Sequence, residues 1–335
     1  METIEQHKSL KAHNTFGVEC FCENYINITS KDELRLVLLN KDFSSKLILG
    51  GGSNLLFTQN LKGLCIHLNI KGIRVLEENE EQVIIEAQAG ENWHDFVLWT
   101  LEKGYGGLEN LALIPGNIGT APIQNIGAYG VELKDCFVSC TTLDMEKADS
   151  HTFNLEEAAF GYRTSIFKTS LKGKHIITSV RFRLTKKNHN LKTEYGAIQE
   201  QLGNNSKTPK NIAEAVIAIR QRKLPDPKKI GNSGSFFKNP IVSETHFQKL
   251  LLKHPEMPHY RISSSEVKIP AGWMIDHLGY KGIKRGNAGV HEHQALVLVN
   301  LGNASGIEIL ELANEIQEKV KEKFEVKLEI EVNIY

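Results

Sequence analysis

Lys46–Phe57 reads KLILGGGSNLLF. A lysine and three branched apolar residues run into three glycines, which predicts a short buried strand stopping at a glycine turn. Such a turn can aim consecutive backbone N–H groups at one phosphate. It is not the dinucleotide fingerprint. Gly50 and Gly52 fill the first two positions of G-x-G-x-x-G, but Leu55 stands where the third glycine belongs, and no acidic residue follows in the expected place. No G-x-x-x-x-G-K-[ST] occurs either, so nucleotide hydrolysis has no local support. The stretch predicts a phosphate cradle from Gly50, Gly51, Gly52, Ser53 and Asn54 on something other than a Rossmann unit.

Outward from this turn, helix and strand signals mix. TSKDELRLVLLN carries a capping box in Ser30 and Glu33, with Leu34, Val37 and Leu38 on one face. QVIIEAQAGENW reads as a second strand, and NWHDFVLWTLEKG as a helix ending at Gly104. The first half is therefore an α+β or α/β unit up to about residue 187. KKNHNLKTEYGAIQEQLGNNSKTPK is polar and is expected to be connective, with Tyr195-Gly196 as a loop tip. Thr208 and Pro209 then open a helix that Pro225 stops. Ser305 and Glu308 form a second capping box before Leu310, Ala313, Ile316, Val320 and Phe324 at helical spacing. VKLEIEVNIY alternates, with Val326, Leu328, Ile330, Val332 and Ile334 inward.

The 335 residues carry 40 basic and 40 acidic side chains, so no net field invites nucleic acid or an anionic membrane. The N-terminal METIEQHKSLKAHN has no apolar core of the secretory kind, and no run approaches a membrane span. Five sparse cysteines, Cys20, Cys22, Cys65, Cys136 and Cys140, form no Cys-x-x-Cys. Reduced thiols in a cytoplasmic protein are the expectation.

Three further stretches bear on chemistry. GLENLALIPGNIGTAPIQNIGAYG, ending at Gly130, is glycine-rich and nearly uncharged, and lets backbone approach a flat or phosphorylated ligand or simply turn inside a core. In FGYRTSIFK, Arg163 sits among aromatic residues and could orient a carboxylate or be structural. In GNSGSFFKNP, neither Ser233 nor Ser235 has glycines two residues to both sides, so the nucleophile-elbow reading fails on spacing. His291 and His293 fall on one face of an expected strand without a third ligand, so no metal site is predicted; hydrogen-bonded histidines are the ordinary reading. Glu329 and Glu331 share a face that is ordinarily solvated, and Arg222 and Lys223 close a helix C-terminus where the dipole favours cations.

Taken together, NTFGV at Asn14, ILGGGSNLLF, the glycine run followed by VEL, FGYRTSIFK, KLPDPK, GNSGSFFKNP, AGWMID and HQALVLVN resemble, in order, the UDP-N-acetylenolpyruvoylglucosamine reductases of the type I branch. The resemblance implies an FAD-binding domain of the vanillyl-alcohol-oxidase (PCMH) type over 17–187, in subdomains of about 17–70 and 71–187. A C-terminal substrate domain over 207–335 follows. It implies non-covalent FAD, NADPH as reductant, a nucleotide-sugar substrate and a monomer. By match, Arg163, Ser235 and Glu331 are catalytic. Gly50 to Asn54, Pro115, Gly116, Gly119, Gln124, Asn125, Gly127, Ala128 and Tyr129 bind the cofactor. Tyr195, Lys223, Asn239 and Gln294 bind substrate, Tyr195 from a loop closing over the nucleotide. Asn333 stands where the family usually has arginine. The rivals are another flavin oxidoreductase of the same fold, such as an alcohol or sugar oxidase, and a noncatalytic nucleotide-sugar binder. No flavin-linking His or Cys motif favours the oxidase.

Overall fold

The computed structural model describes residues 3–335, which form two compact units. The first holds 3–8, 22–51 and 62–220; the second holds 9–21, 52–61 and 221–335. The chain thus enters the second unit twice before its C-terminal third, an interleaving that the expected contiguous domains did not contain. The crossing after Gly51 lies inside the glycine turn itself.

The first unit has two larger sheets and a two-stranded antiparallel ribbon, Gly127–Ala128 with Val131–Glu132. One is four-stranded, in the order Glu5–Ser9, Phe21–Ile28, Leu61–Leu68, Lys46–Leu49, the last two parallel with Lys46 opposite Leu64. Helix α1 (Lys31–Leu39) buries Leu34, Val37 and Leu38 in the core shared with Ile26, Ile28, Leu64 and Ile66. Ser30 caps it by accepting the Glu33 N–H at 3.2 Å, while Glu33 reaches back to the N–H and hydroxyl of Thr29. The other sheet is antiparallel and five-stranded: Ser150–Asn154, Phe137–Asp144, His175–Thr185, Gln82–Gln88, Ile73–Glu78. Asn92 caps α2 (Trp93–Glu102), whose Trp93, Phe96 and Val97 pack on Phe182 and Val180.

Two expectations change here. The polar connector contains a helix, α3 (Gly196–Leu202), because Ile198 and Leu202 are buried among otherwise polar residues. Helix α4 (Pro209–Lys223) falls within the expected C-terminal domain over 207–335. Its Ile212, Ala213, Val216 and Ile219 instead complete the first unit's core, beside Leu108, Leu111 and Phe182.

The second unit packs α5 (Glu244–Lys253), α6 (Ala271–His277) and α7 (Gly306–Phe324) with two small antiparallel sheets. Ser305 and Glu308 make the full reciprocal capping box of α7. Leu312, Ala313, Ile316, Val320 and Phe324 enter a core with Phe236, Phe237 and Phe247. The terminal segment alternates in burial as expected, but pairs only in part. Ile330 bridges Phe237, and Asn333–Ile334 runs parallel to Leu55–Leu56.

Candidate functional site

In the first unit, the glycine turn meets the glycine-rich run. A Cβ on Gly50 would lie 2.7 Å from Thr120 Cγ2, and one on Gly51 would lie 2.8 Å from Asn117 Oδ1 and 3.1 Å from Gly116 Cα. Real Cβ atoms do not come that close, so only glycine lets these backbones pass. The run itself is held in place by the segment before α2: Trp93 donates to Gly116 O at 3.0 Å, Ile118 to Glu91 O at 2.9 Å and Gly119 to Ala89 O at 2.9 Å. A 3-10 helix (Ile118–Gln124) then ends at Asn125, in the left-handed conformation with φ 45° and ψ 63°.

Asn125 is fully buried, and its amide is spent on structure. Nδ2 donates to Glu132 Oε2 (3.0 Å) and Gly161 O (3.1 Å), and Oδ1 accepts the Lys134 N–H (3.1 Å). It therefore ties the glycine run to the turn that presents Arg163, two residues beyond Gly161. Arg163 sits at φ 55°, Tyr129 at φ 51° and Leu113 at φ 59°. Each is an uncommon conformation for a residue with a side chain, and such strain clusters where backbone is shaped around a ligand. Pro115 is exposed, while Gln124, Gly127, Ala128 and Tyr129 are half-buried. Tyr195 caps the start of α3, is 49% exposed, and sets its ring edge-on to Tyr129 with centroids 5.6 Å apart.

Arg220, on the last turn of α4, was not foreseen. Its Nε is buried and has no hydrogen-bond partner. Burial pushes its guanidinium down from the ordinary arginine range; Tyr129 opposes that shift and Arg163 adds to it. Burial holds the Tyr129 phenol up, so this neighbour is uncharged at neutral pH. Burial likewise lowers His94, whose Nδ1 accepts the Leu113 N–H at 3.0 Å. His94 and Tyr129 are neutral neighbours, so the buried Arg220 Nε is a donor still open to an anionic ligand. The sequence signal was slight: IRQRK reads as an ordinary cationic helix end.

In the second unit, Gly52 (φ 63°) passes so near the N-terminal segment that a Cβ would sit 2.0 Å from His13 O. Ser53 is half-buried, and Asn54 Nδ2 donates to Glu331 O at 3.3 Å. The two serines of GNSGSFFKNP part ways. Ser233 is buried, its Oγ 3.3 Å from Thr15 Oγ1 and 3.4 Å from Leu55 O; Ser235 is exposed. Gly234, at φ 69°, makes the turn between them, and Phe236 and Phe237 anchor the loop, both essentially fully buried. Phe236 donates to Leu296 O at 2.8 Å and accepts the Glu331 N–H at 2.8 Å. The Ser235 loop is thereby fastened on one side to the segment after Gln294 and on the other to Glu331.

Asn239 Oδ1 accepts the Ala271 N–H at 2.9 Å, and so helps fix the start of α6. Gln294 is half-buried, its Oε1 3.3 Å from the Leu296 N–H; Lys223 is exposed at the end of α4. Glu329 pairs with Lys238 at 2.6 Å. His291 and His293 lie in the turn after the Ala288–Val290 strand rather than on a strand face. The chain reverses there, with Val297 donating to Gln294 O, which is why strand alternation misplaced them.

Comparison with known proteins bears directly on this arrangement. Residues 226–335 match the family model of the UDP-N-acetylenolpyruvoylglucosamine reductase C-terminal domain, and 25–155 match an FAD binding domain. The chain is 52% identical over 334 residues to the UDP-N-acetylenolpyruvoylglucosamine reductase of Flavobacterium johnsoniae, covering 99% of each chain. This chain belongs to the UDP-N-acetylenolpyruvoylglucosamine reductase family. A reductase of that name from Amoebophilus asiaticus is 46% identical, again over 99% of each chain. The crystal structure of the Thermus caldophilus reductase shares the fold, with a TM-score of 0.68 at 23% identity over 99% of this chain and 98% of that one. The chain is accordingly an FAD-binding oxidoreductase with the α+β fold of its family. No helix among the described residues is long and apolar enough to cross a membrane.

The first unit's residues suit that cofactor. The glycine crossing leaves no room for side chains where backbone N–H groups must approach a diphosphate, and the unpaired Arg220 Nε is a donor in want of an acceptor.

Proposed function

We propose that this protein reduces UDP-N-acetylenolpyruvoylglucosamine to UDP-N-acetylmuramate with NADPH, in peptidoglycan precursor synthesis. The observation that carries this reading is the contrast between exposed Ser235 and buried Ser233 in a loop hydrogen-bonded to the Glu331 backbone. One hydroxyl is presented to solvent by a rigid mount, and the other is part of that mount.

Bound FAD would supply hydride transfer from NADPH to C3 of the enolpyruvyl group. Gly50 to Asn54 and the Gly116–Gly130 run would hold its diphosphate and ring, with Arg220 as an additional cation. Arrival of hydride at C3 leaves negative charge on C2 and the carboxylate. Arg163 and the carboxyl of Glu331 stabilise that charge as fixed donors. Ser235 then gives its proton to C2 and is reprotonated from water. A hydroxyl is a feeble acid toward ground-state ligands, but a carbanionic C2 is basic enough to take its proton when held in reach. Lys223, Asn239 and Gln294 orient the nucleotide sugar, and Tyr195 closes over it. Five buried free cysteines support a cytoplasmic setting.

The decisive experiment is anaerobic flavin spectroscopy on the purified protein. NADPH should bleach the flavin, and the enolpyruvyl nucleotide sugar should restore it. Fast restoration by oxygen with no response to that substrate would favour the oxidase reading instead. A protein that binds the nucleotide sugar without flavin absorbance would be a noncatalytic binder.

A further inference from the structure

The second unit carries a side-chain cluster that the reductase chemistry does not use. His254, Glu256 and His277 each bring a ligand atom to within 4.8 Å of the others. Among the described residues, this is the one group of three or more such side chains so placed, and none of the three makes a side-chain hydrogen bond or ion pair with the protein. His254 is the C-cap of α5, and His277 is the last residue of α6, so two helix C-termini converge on the cluster. Their carbonyl ends favour a cation.

The cluster is also held still on one side. His254 is buried, its ring 4.9 Å from that of His277 and 5.2 Å from that of Phe324. Trp273, one turn before His277 on α6, stacks on the His277 ring with centroids 4.7 Å apart. Aromatic walls therefore fix both imidazoles, while Glu256 and His277 remain open to solvent. Two imidazoles and one carboxylate form the ligand set of an open tetrahedral zinc site, with water in the fourth position. Imidazole ligands select zinc-class ions over magnesium or calcium, which prefer oxygen. Lys253 and Lys323 lie near enough to act on His254, and their charge holds affinity to a modest level.

We propose that His254, Glu256 and His277 form a binding site for a divalent cation of the zinc class, tying the end of α5 to the end of α6. The sequence conceals the set because His254 and Glu256 follow the end of α5 while His277 lies 21 residues beyond Glu256, at the end of α6, with none of the usual metal spacings.

The test is calorimetric titration of the FAD-loaded protein with Zn2+ in a non-chelating buffer. One ion per chain is expected at micromolar affinity, with a rise in melting temperature, and Mg2+ at the same concentrations should give neither. His277→Ala and Glu256→Gln, both at exposed positions, should weaken Zn2+ binding at least tenfold while leaving the flavin spectrum unchanged. His293→Ala is the control, because His291 and His293 form another close histidine pair in the second unit, with rings 5.6 Å apart. Absence of stoichiometric binding, equal binding of Mg2+, or loss on His293→Ala but not on His277→Ala would each overturn the proposal.

Discussion

Glu331 donates its backbone N–H to the carbonyl of Phe236 at 2.8 Å, one residue past Ser235. The two proposed catalytic groups of the second unit therefore hang on directly bonded backbones, and neither can shift far without the other. Ser235→Ala should retain flavin and accept hydride from NADPH at a near-normal rate. Reoxidation by the enolpyruvyl substrate should then slow by about 10²- to 10⁴-fold, the usual worth of a positioned proton donor. Ser233→Ala loses only weak contacts to Thr15 and Leu55, at a cost of about 1 kcal/mol in stability, and should stay nearly active. Stopped-flow traces of both half-reactions decide this, and wild-type reoxidation in Ser235→Ala would assign the proton elsewhere.

Glu329 and Glu331 offer a second separation. Glu329 already has a partner in Lys238, an exposed pair worth little. Glu329→Gln should leave turnover within a few-fold of wild type, whereas Glu331→Gln should cut the substrate half-reaction severely. Equal losses would show that neither residue has the assigned role.

Arg220→Met makes opposite predictions for two states of the protein. Without flavin, removing a guanidinium whose buried Nε has no acceptor should leave the melting temperature unchanged or raise it. With flavin, retention of cofactor should fall, read as the absorbance ratio of flavin to protein after gel filtration. A variant that loses stability in both states and keeps its flavin would make Arg220 a packing residue.

Tyr195 packs T-shaped against Tyr129 yet remains half exposed, so part of its ring faces solvent. Tyr195→Ala should raise the substrate KM while FAD content and NADPH oxidation stay near normal. An unchanged KM would remove the lid role.

Glu86 is the acid-sensitive point of the first unit's antiparallel sheet. It is 3% exposed; burial raises its carboxyl pKa, but the hydrogen bonds from Arg74 at 2.5 Å and Arg181 at 3.0 Å outweigh this and leave it lowered. A lowered folded pKa means the stabilisation is present above the unfolded value, near 4.5, and is lost as pH falls through the folded one. Glu86→Gln should cost about 2 kcal/mol at pH 7. The gap from wild type should close as pH falls from the unfolded value, near 4.5, through the lower folded one, read by urea denaturation across pH. A gap independent of pH would point to packing rather than charge.

The sequence alone determined the local elements whose causes are local. Ser30, Asn92, Thr208 and Ser305 start helices because a side-chain oxygen beside the first turn is enough to do so. The glycine turn at 50–52 and the alternation of 326–334 were equally legible, and so was the family, through long motifs occurring in order. What failed needed distant partners. Helix α3 forms in a polar stretch because two apolar residues find a core that periodicity over seven residues does not announce. Helix α4 joins the first unit because its apolar face meets Leu108, Leu111 and Phe182, some hundred residues earlier for the first two. Ser233 and Ser235 are chemically alike in the sequence; only the return of Leu55 and Thr15 to one side of the loop buries the first and leaves the second exposed. Arg220 carries no local signal in IRQRK, and only packing of the closed chain buries its Nε. Burial and the company a charge keeps are long-range properties, settled only when the chain has closed on itself.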